Sequence, residues 1–345
     1  MKVVLVANDK NPTDMMKAVA KELEARGHRV VLIIGENPGE CLVTLEQVGE
    51  AVDADVVFVG MSSSEQLADP ELEVLTQALA LKIPFGLFSD APGCFKREWF
   101  ADFRADASFL AVLREDEAEE ARELFPVAFV KATGHPSREV VLANVSRESV
   151  LQKLALPADT KIILCSGSKD LAVNLSLLAT VSQALLSDDP NLKGRRIIFC
   201  PHPGDKNAWK GYTAFSGVEL VPPSTASTAE VLAGADVFFN ALSTTYQDAA
   251  YRRVPTIVLL SEVIRQKRRT LFGTERAIEA EEGVAIPVNS IAEARVALSA
   301  LFDPKSPKAD AVRENQARCY PRPNPPGTAA KIAVEMMETI VRGSN

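Results

Sequence analysis

Short runs rich in Val, Ile, Leu and Phe alternate along the chain with segments whose apolar residues recur at helical spacing. Runs that stay hydrophobic throughout, rather than alternating with polar residues, belong to strands covered on both faces. The pattern therefore predicts parallel sheets flanked by helices. In the first half it predicts strands over Lys2 to Ala7, Arg29 to Ile34, Val56 to Gly60, Phe85 to Ser89, Ser108 to Val112 and Ala128 to Lys131. Between the first two, Pro12 to Arg26 has helical spacing, with Asn11 or Thr13 as the expected N-cap and Gly27 as the stop.

The second half restarts the alternation with runs at Lys161 to Cys165, Arg196 to Cys200, Val218 to Val221, Val237 to Phe239, Thr256 to Leu260 and Val284 to Pro287. A restart of this kind implies an α/β fold of two Rossmann-like, doubly wound parallel-sheet domains, expected to face each other across a cleft at the carboxyl ends of their strands. The expected division is a first domain over 1–145, a second over 146–326, and a C-terminal helix over 327–345. The junction is expected around Ser137 to Pro157. The proline-rich stretch Pro321 to Gly327 suits neither helix nor central strand, so it reads as a connector carrying the amphipathic segment Thr328 to Val341 back over the first domain.

A chain of 345 residues, 47% hydrophobic and 24% charged, is longer than one core usually serves, in line with two domains. The net charge of −8 argues against a nucleic-acid surface, which needs clustered Lys and Arg to neutralise phosphates. The one dense basic run, Arg265 to Arg269, reads as a solvated helix face or, alternatively, as part of a ligand site. Five cysteines, odd in number and without a Cys-x-x-Cys pair, suggest neither zinc nor redox chemistry, and Cys165 and Cys200 sit in apolar runs as buried thiols would. The N-terminus lacks the long apolar segment of a signal peptide, and no stretch approaches the roughly 20 apolar residues of a membrane span. A cytoplasmic location is the expectation.

Ligands of open α/β sheets sit beyond the strand carboxyl ends, so the loops there carry the information. In the second half these loops are Ser166-Gly167-Ser168-Lys169-Asp170, Pro201-His202-Pro203-Gly204-Asp205-Lys206, Pro222 to Ser227, and Asn240 to Thr245. Ser243, Thr244 and Thr245 open the predicted helix Tyr246 to Arg252, where they serve either as a plain N-cap or as donors to a bound anion. His202, stiffened between two prolines, is either a surface residue or a donor to phosphate. Asp90 follows a first-half strand in a Pro/Gly turn, as a turn former or as a general base. The Asp53-Ala54-Asp55 pair falls at the wrong end of its strand to hold a metal diphosphate, and no metal site is expected.

The run Ala233 to Ala250, followed by Arg253-Val254-Pro255-Thr256-Ile257-Val258, resembles the C-terminal nucleotide-binding segment of GT-B glycosyltransferases. By that resemblance Ser243 to Thr245 hold a diphosphate and Asp248 accepts hydrogen bonds from ribose hydroxyls. Pro201-His202-Pro203 is similar to the His-Pro motif of bacterial sialyltransferases, Kdo transferases and glycerophosphate polymerases, which contacts donor phosphate. Three stretches of the first half are similar in order and spacing to the N-terminal domain of the non-hydrolysing UDP-N-acetylglucosamine 2-epimerases: Asp53 to Gly60, Ala80 to Asp90, and Ala132 to Pro136. The chain departs from those epimerases at three motifs, having Ser166 to Asp170 for His-Arg-x-Glu-Asn, Asp90 to Cys94 for Glu-Ala-Gly-Leu-Arg, and Ser243-Thr244-Thr245 for Ser-Gly-Gly. Several of their acids and bases are thus missing.

The resemblance implies a glycosyltransferase-like enzyme that uses a nucleotide-activated sugar without a metal or further cofactor. Its donor would lie on Ser166, Gly167, Ser168, Lys169, His202, Pro222, Ser243, Thr244, Thr245 and Asp248, with Asp90 and His202 catalytic. A glycan, lipid-linked or small-molecule acceptor would lie near Asn8, Ser62, Arg97 and His135. An epimerase relative, and a non-catalytic sugar-nucleotide or partner-binding protein, are the alternatives. A homodimer is carried as a further expectation.

Overall fold

A computed structural model describes residues 1–35, 49–50, 52–138, 145–205, 209–215, 217–322 and 327–343. The chain divides into two compact units, one formed by Met1–Val140 together with Arg322–Asn345, the other by Val141–Pro321.

The first unit is built on a parallel sheet of β1 (Lys2–Ala7), β2 (Arg29–Ile34), β3 (Val56–Gly60), β4 (Phe85–Phe88), β5 (Phe109–Val112) and β6 (Phe129–Ala132), in the order β2-β1-β3-β4-β5-β6. Every residue of β1 is buried, as its unbroken hydrophobic run demands, and Val4 pairs with Val31 on one side and Val57 on the other. Helices α1 (Lys10–Ala25), α2 (Glu65–Leu81) and α3 (Glu115–Leu124) follow β1, β3 and β5. The N-cap of α1 is Asp9, not Asn11 or Thr13: its carboxylate accepts the Lys10 N–H, and Pro12 falls inside the first turn, where its missing N–H costs nothing. Asp53 and Asp55 lie at the amino end of the sheet, where Asp53 pairs with the Lys2 ammonium and Asp55 accepts the Lys2 backbone N–H.

The second unit contains β7 (Ile162–Ser166), β8 (Arg196–Cys200), β9 (Val218–Leu220), β10 (Val237–Asn240), β11 (Thr256–Leu259) and β12 (Ala285–Val288), all parallel, in the order β12-β11-β10-β7-β8-β9. This is the doubly wound order with its switch point between β7 and β10. Its helices are α4 (Arg147–Lys153), α5 (Leu171–Leu185), α6 (Tyr246–Arg252), α7 (Glu262–Phe272), α8 (Ile291–Phe302) and α9 (Lys308–Cys319), with single turns at Thr228–Val231 and Ile278–Glu281. Ile163, Cys165, Ile197 and Phe199 face one core, and Ile162, Leu164, Ile198 and Cys200 the other, the period-two division expected of strands covered on both faces.

The last helix, α10 (Thr328–Gly343), belongs to the first unit, where Ala333, Val334, Met336 and Met337 pack with Met15, Met16 and Val19 of α1. Glu338 pins it, 3.3 Å from the Arg26 guanidinium and 3.0 Å from His28 Nε2. The stretch expected as the junction, Ser137 to Pro157, holds the division between the units after Val140 and also α4, capped by Ser146. Two expectations need correction. The basic run is not a uniformly solvated face, because Arg268 is buried against Glu279 and donates to the Ala241 carbonyl. The strands β4, β9 and β11 stop one residue short of the expected ends, whereas β6, β7, β10 and β12 run one further, making Ser166 and Asn240 strand residues. Cys94, Cys165, Cys200 and Cys319 are buried thiols, while Cys41 lies outside the described residues. Among the described residues no helix is long and apolar enough to cross a membrane.

Candidate functional site

At the switch point of the second sheet lies a pocket of about 460 Å³, within the range of small-molecule sites. The loop after β7 contributes Gly167 to Asp170, the loop after β8 contributes His202, the loop after β10 contributes Leu242 to Thr244, and α7 contributes Lys267 and Leu271. The fold thus brings together Gly167, Ser168, Lys169, His202, Ser243 and Thr244 of the expected donor residues. Ser166, Pro222, Thr245 and Asp248 do not line the pocket.

The loops after β7 and β8 are locked to one another. Gly167 donates its N–H to the Cys200 carbonyl at 2.8 Å, and a Cβ there would stand 2.9 Å from the His202 nitrogen and 3.0 Å from Pro201 Cα, so only glycine allows the approach. Beneath the loops lies a buried polar network centred on Asn174, in the first turn of α5. Its Oδ1 accepts the Ser168 N–H at 2.7 Å, and its Nδ2 donates to the Ser168 carbonyl, Asp205 Oδ2 and the Tyr212 hydroxyl at 3.0, 3.3 and 3.0 Å. Tyr212 in turn donates to Asp205 at 2.7 Å. Networks satisfied in this way rigidify what they hold.

His202 is half-buried, and its Nδ1 accepts the Gly204 N–H at 2.9 Å. Partial burial, then the positive charge of Lys169, push its pKa below the ordinary value, while Asp205 acts in the opposite sense. The neutral ring therefore carries its hydrogen on Nε2, as a donor not engaged by Gly204. Lys169 brings an ammonium beside it, with no carboxylate in ion-pair distance among the described residues.

Across the switch point the Ser166 hydroxyl donates to Asn240 Oδ1 at 3.3 Å, and Asn240 clips the next turn through the Ser243 N–H and carbonyl at 3.1 and 3.0 Å. Ser243 accepts the Thr245 N–H at 3.2 Å and donates to the Thr245 hydroxyl at 2.8 Å. The side chain of Thr245 does not cap α6.

In the first unit, the polar groups at the carboxyl ends of the strands form a buried cluster. Glu71 of α2, fully buried, accepts from the Ser62 hydroxyl at 2.5 Å and from the Asn8 N–H at 3.2 Å, and burial pushes its pKa up to about 7. Asp90 is only 3% exposed, its Oδ1 has no hydrogen-bond partner, and it lies 3.6 Å from Arg97, which also donates to the Met61 carbonyl. Desolvation raises the Asp90 pKa and the Arg97 charge opposes it. His135 is buried edge-on to Phe88, with Nδ1 3.1 Å from the Ser137 hydroxyl and Nε2 unpartnered. Among the described residues no group of three or more His, Cys, Asp or Glu side chains is arranged to hold a metal.

Sequence reasoning did not single out Lys267, Asn174, Tyr212 or Glu71. A signal existed for Asn174, a lone amide in the apolar helix Leu171-Ala172-Val173-Asn174-Leu175, since such a group must find partners on burial. Lys267 stood in the basic run, but nothing in the spacing said which of its charges faces a ligand.

No protein-family model and no curated protein matches the chain. Solved structures do. UDP-GlcNAc 2-epimerase from Neisseria meningitidis bound to UDP-GlcNAc is 16% identical over 98% of this chain and 100% of its own, with a TM-score of 0.66. MnaA from S. aureus in complex with UDP is 14% identical over 99% of this chain and 97% of its own, with a TM-score of 0.68. A glycosyltransferase from Rickettsia africae is 11% identical over 99% of this chain and 98% of its own, with a TM-score of 0.62. The chain has the fold of these GT-B-type proteins.

Proposed function

We propose that this chain is a glycosyltransferase-like enzyme whose second unit holds the phosphates of a nucleotide-activated sugar. The observation that carries this reading is the pocket at the β7/β10 switch point, which Ser168, Lys169, His202, Ser243 and Thr244 line together. A cation, a neutral imidazole donor and several hydroxyls are the groups that bind phosphate oxygens and stabilise negative charge as it develops on a departing nucleotide. Fold likeness to proteins whose structures contain UDP or UDP-GlcNAc supports the choice of ligand class. Asp90 is the proposed base toward the acceptor, because desolvation makes its carboxylate more basic than one in water, against the opposing charge of Arg97 3.6 Å from Oδ1.

A thermal-shift panel of UDP, CDP, CMP, GDP and their sugars tests the reading. A ligand at about 100 times its Kd adds roughly 2.7 kcal/mol, a shift of a few degrees. No shift from any nucleotide would sink it. The fold likeness to 2-epimerases supports a second reading, in which UDP-GlcNAc is epimerised without an acceptor. Proton NMR of UDP-GlcNAc incubated with the enzyme alone separates the two, since a transferase leaves the C2 configuration untouched.

A further inference from the structure

The two lysines of the pocket stand in different electrostatic states. Lys169 lies on the His202 side: a Cβ at Gly204 would meet Lys169 Cε at 3.0 Å and His202 Nδ1 at 3.3 Å. Lys267 reaches the pocket from α7, with Leu271 one turn further along the same face. Its Nζ lies 2.7 Å from Asp170 Oδ2, and this bond is the leading reason that the Asp170 carboxyl titrates below its ordinary range. Asp170 divides its oxygens, Oδ1 capping α5 through the N–H groups of Ala172 and Val173 at 3.0 and 3.2 Å, and Oδ2 taking Lys267. The carboxylate is thereby fixed to the backbone, and it holds Lys267 at the pocket. An ammonium has three N–H donors, so one bond to Asp170 leaves two for a ligand.

We propose that Lys267 reads the second phosphate of a diphosphate-containing ligand, with Lys169 and His202 holding the other. The assignment deepens the reading above and takes from it that the ligand carries phosphates. Two cationic positions on different elements, in a pocket of about 460 Å³, fit two linked anionic groups better than one. Asp170 adds selectivity, because its negative charge offsets that of Lys267 and leaves an isolated phosphate there with little net attraction.

Calorimetric titration of the full chain with inorganic phosphate and with pyrophosphate tests this without a base. The parent is expected to bind pyrophosphate at least about 10-fold more tightly than phosphate. Lys267→Met should lower pyrophosphate affinity by about 10-fold or more and phosphate affinity by less than about threefold, whereas Lys169→Met should weaken both. Lys267→Arg, which keeps the charge, should keep the preference, and it guards against a fold defect in the Met variant. Equal losses for the two anions in Lys267→Met, or no loss for pyrophosphate, would overturn the assignment. Pyrophosphate binding that depends on Lys267 in a protein that binds no nucleotide would sink the nucleotide reading alone.

Discussion

The Nδ1 of His202 accepts the backbone N–H of Gly204 at 2.9 Å, which fixes the neutral ring as its Nε2–H tautomer. At neutral pH the imidazole is uncharged, because burial and Lys169 depress its pKa. A bound anion favours the charged ring, so the pKa is higher in the complex than in the free protein. By linkage, the contribution of His202 to affinity grows as the pH falls through the pKa of the complex and levels off below that of the free protein, which lies under the ordinary histidine value. Protonation of the ligand's own phosphate near pH 6 affects parent and variant alike. The ratio of nucleotide affinities between parent and His202→Ala should therefore widen from pH 8 to pH 5.5; a constant ratio above one would leave His202 as a neutral donor only, and a ratio of one at every pH would remove the histidine from the site.

Gly167→Ala brings a methyl group to 2.9 Å from the His202 nitrogen, a backbone atom that cannot rotate away. The loop after β8 must shift, at about 1–3 kcal/mol of stability. Nucleotide affinity should drop about 10-fold or more in a protein that still unfolds cooperatively. Calorimetry and thermal melting on one preparation check both effects.

Asn174→Leu keeps the size of the side chain but strands the Ser168 N–H and part of the Asp205 and Tyr212 pairing. Each buried group left unpaired costs about 1–3 kcal/mol. Urea unfolding should show a loss of at least that size, whereas Leu175→Ala, at a more exposed neighbouring position, should cost less.

Glu71 ties stability to pH. In the native protein it releases its proton near pH 7, in the unfolded chain near 4.5, so folding takes up a proton between those values. The carboxyl's contribution is full below about pH 4.5 and is lost as the pH rises through about 7, by up to about 3 kcal/mol. Glu71→Gln should abolish that slope. Unfolding free energies from pH 5 to 8 that decline equally in parent and variant would show that another group carries it.

The strands were legible in the sequence because parallel strands buried on both faces leave uninterrupted apolar runs, and their ends moved by one residue at most. The N-cap of α1 was missed because Asp9, Asn11 and Thr13 are all good caps, and Pro12 decides among them only once its place in the first turn is known. The loops after β7, β8 and β10 were legible as the walls of one pocket because an open α/β sheet gathers its loops at the strand carboxyl ends. Lys267 was not, since it reaches the pocket only through the packing of α7 on α5, which also sends its neighbour Arg268 into the core. Apart from Ser168, the partners of Asn174 lie 31 and 38 residues away, beyond any local pattern. Asn8 and Ser62 were expected on the acceptor side, but the carboxylate that they both contact comes from α2, whose Pro70-Glu71-Leu72 reads as ordinary helix surface.

The central claim is that the pocket holding Lys169 and His202 binds the phosphates of a nucleotide. Its most direct test is calorimetric titration of UDP, CDP, CMP and GDP into the parent, Lys169→Met and His202→Ala proteins. At least one nucleotide should bind the parent with a stoichiometry of one, and each variant should bind it about 10- to 150-fold more weakly at nearly unchanged melting temperature. Binding by neither parent nor variants, or equally tight binding by all three, would contradict the account.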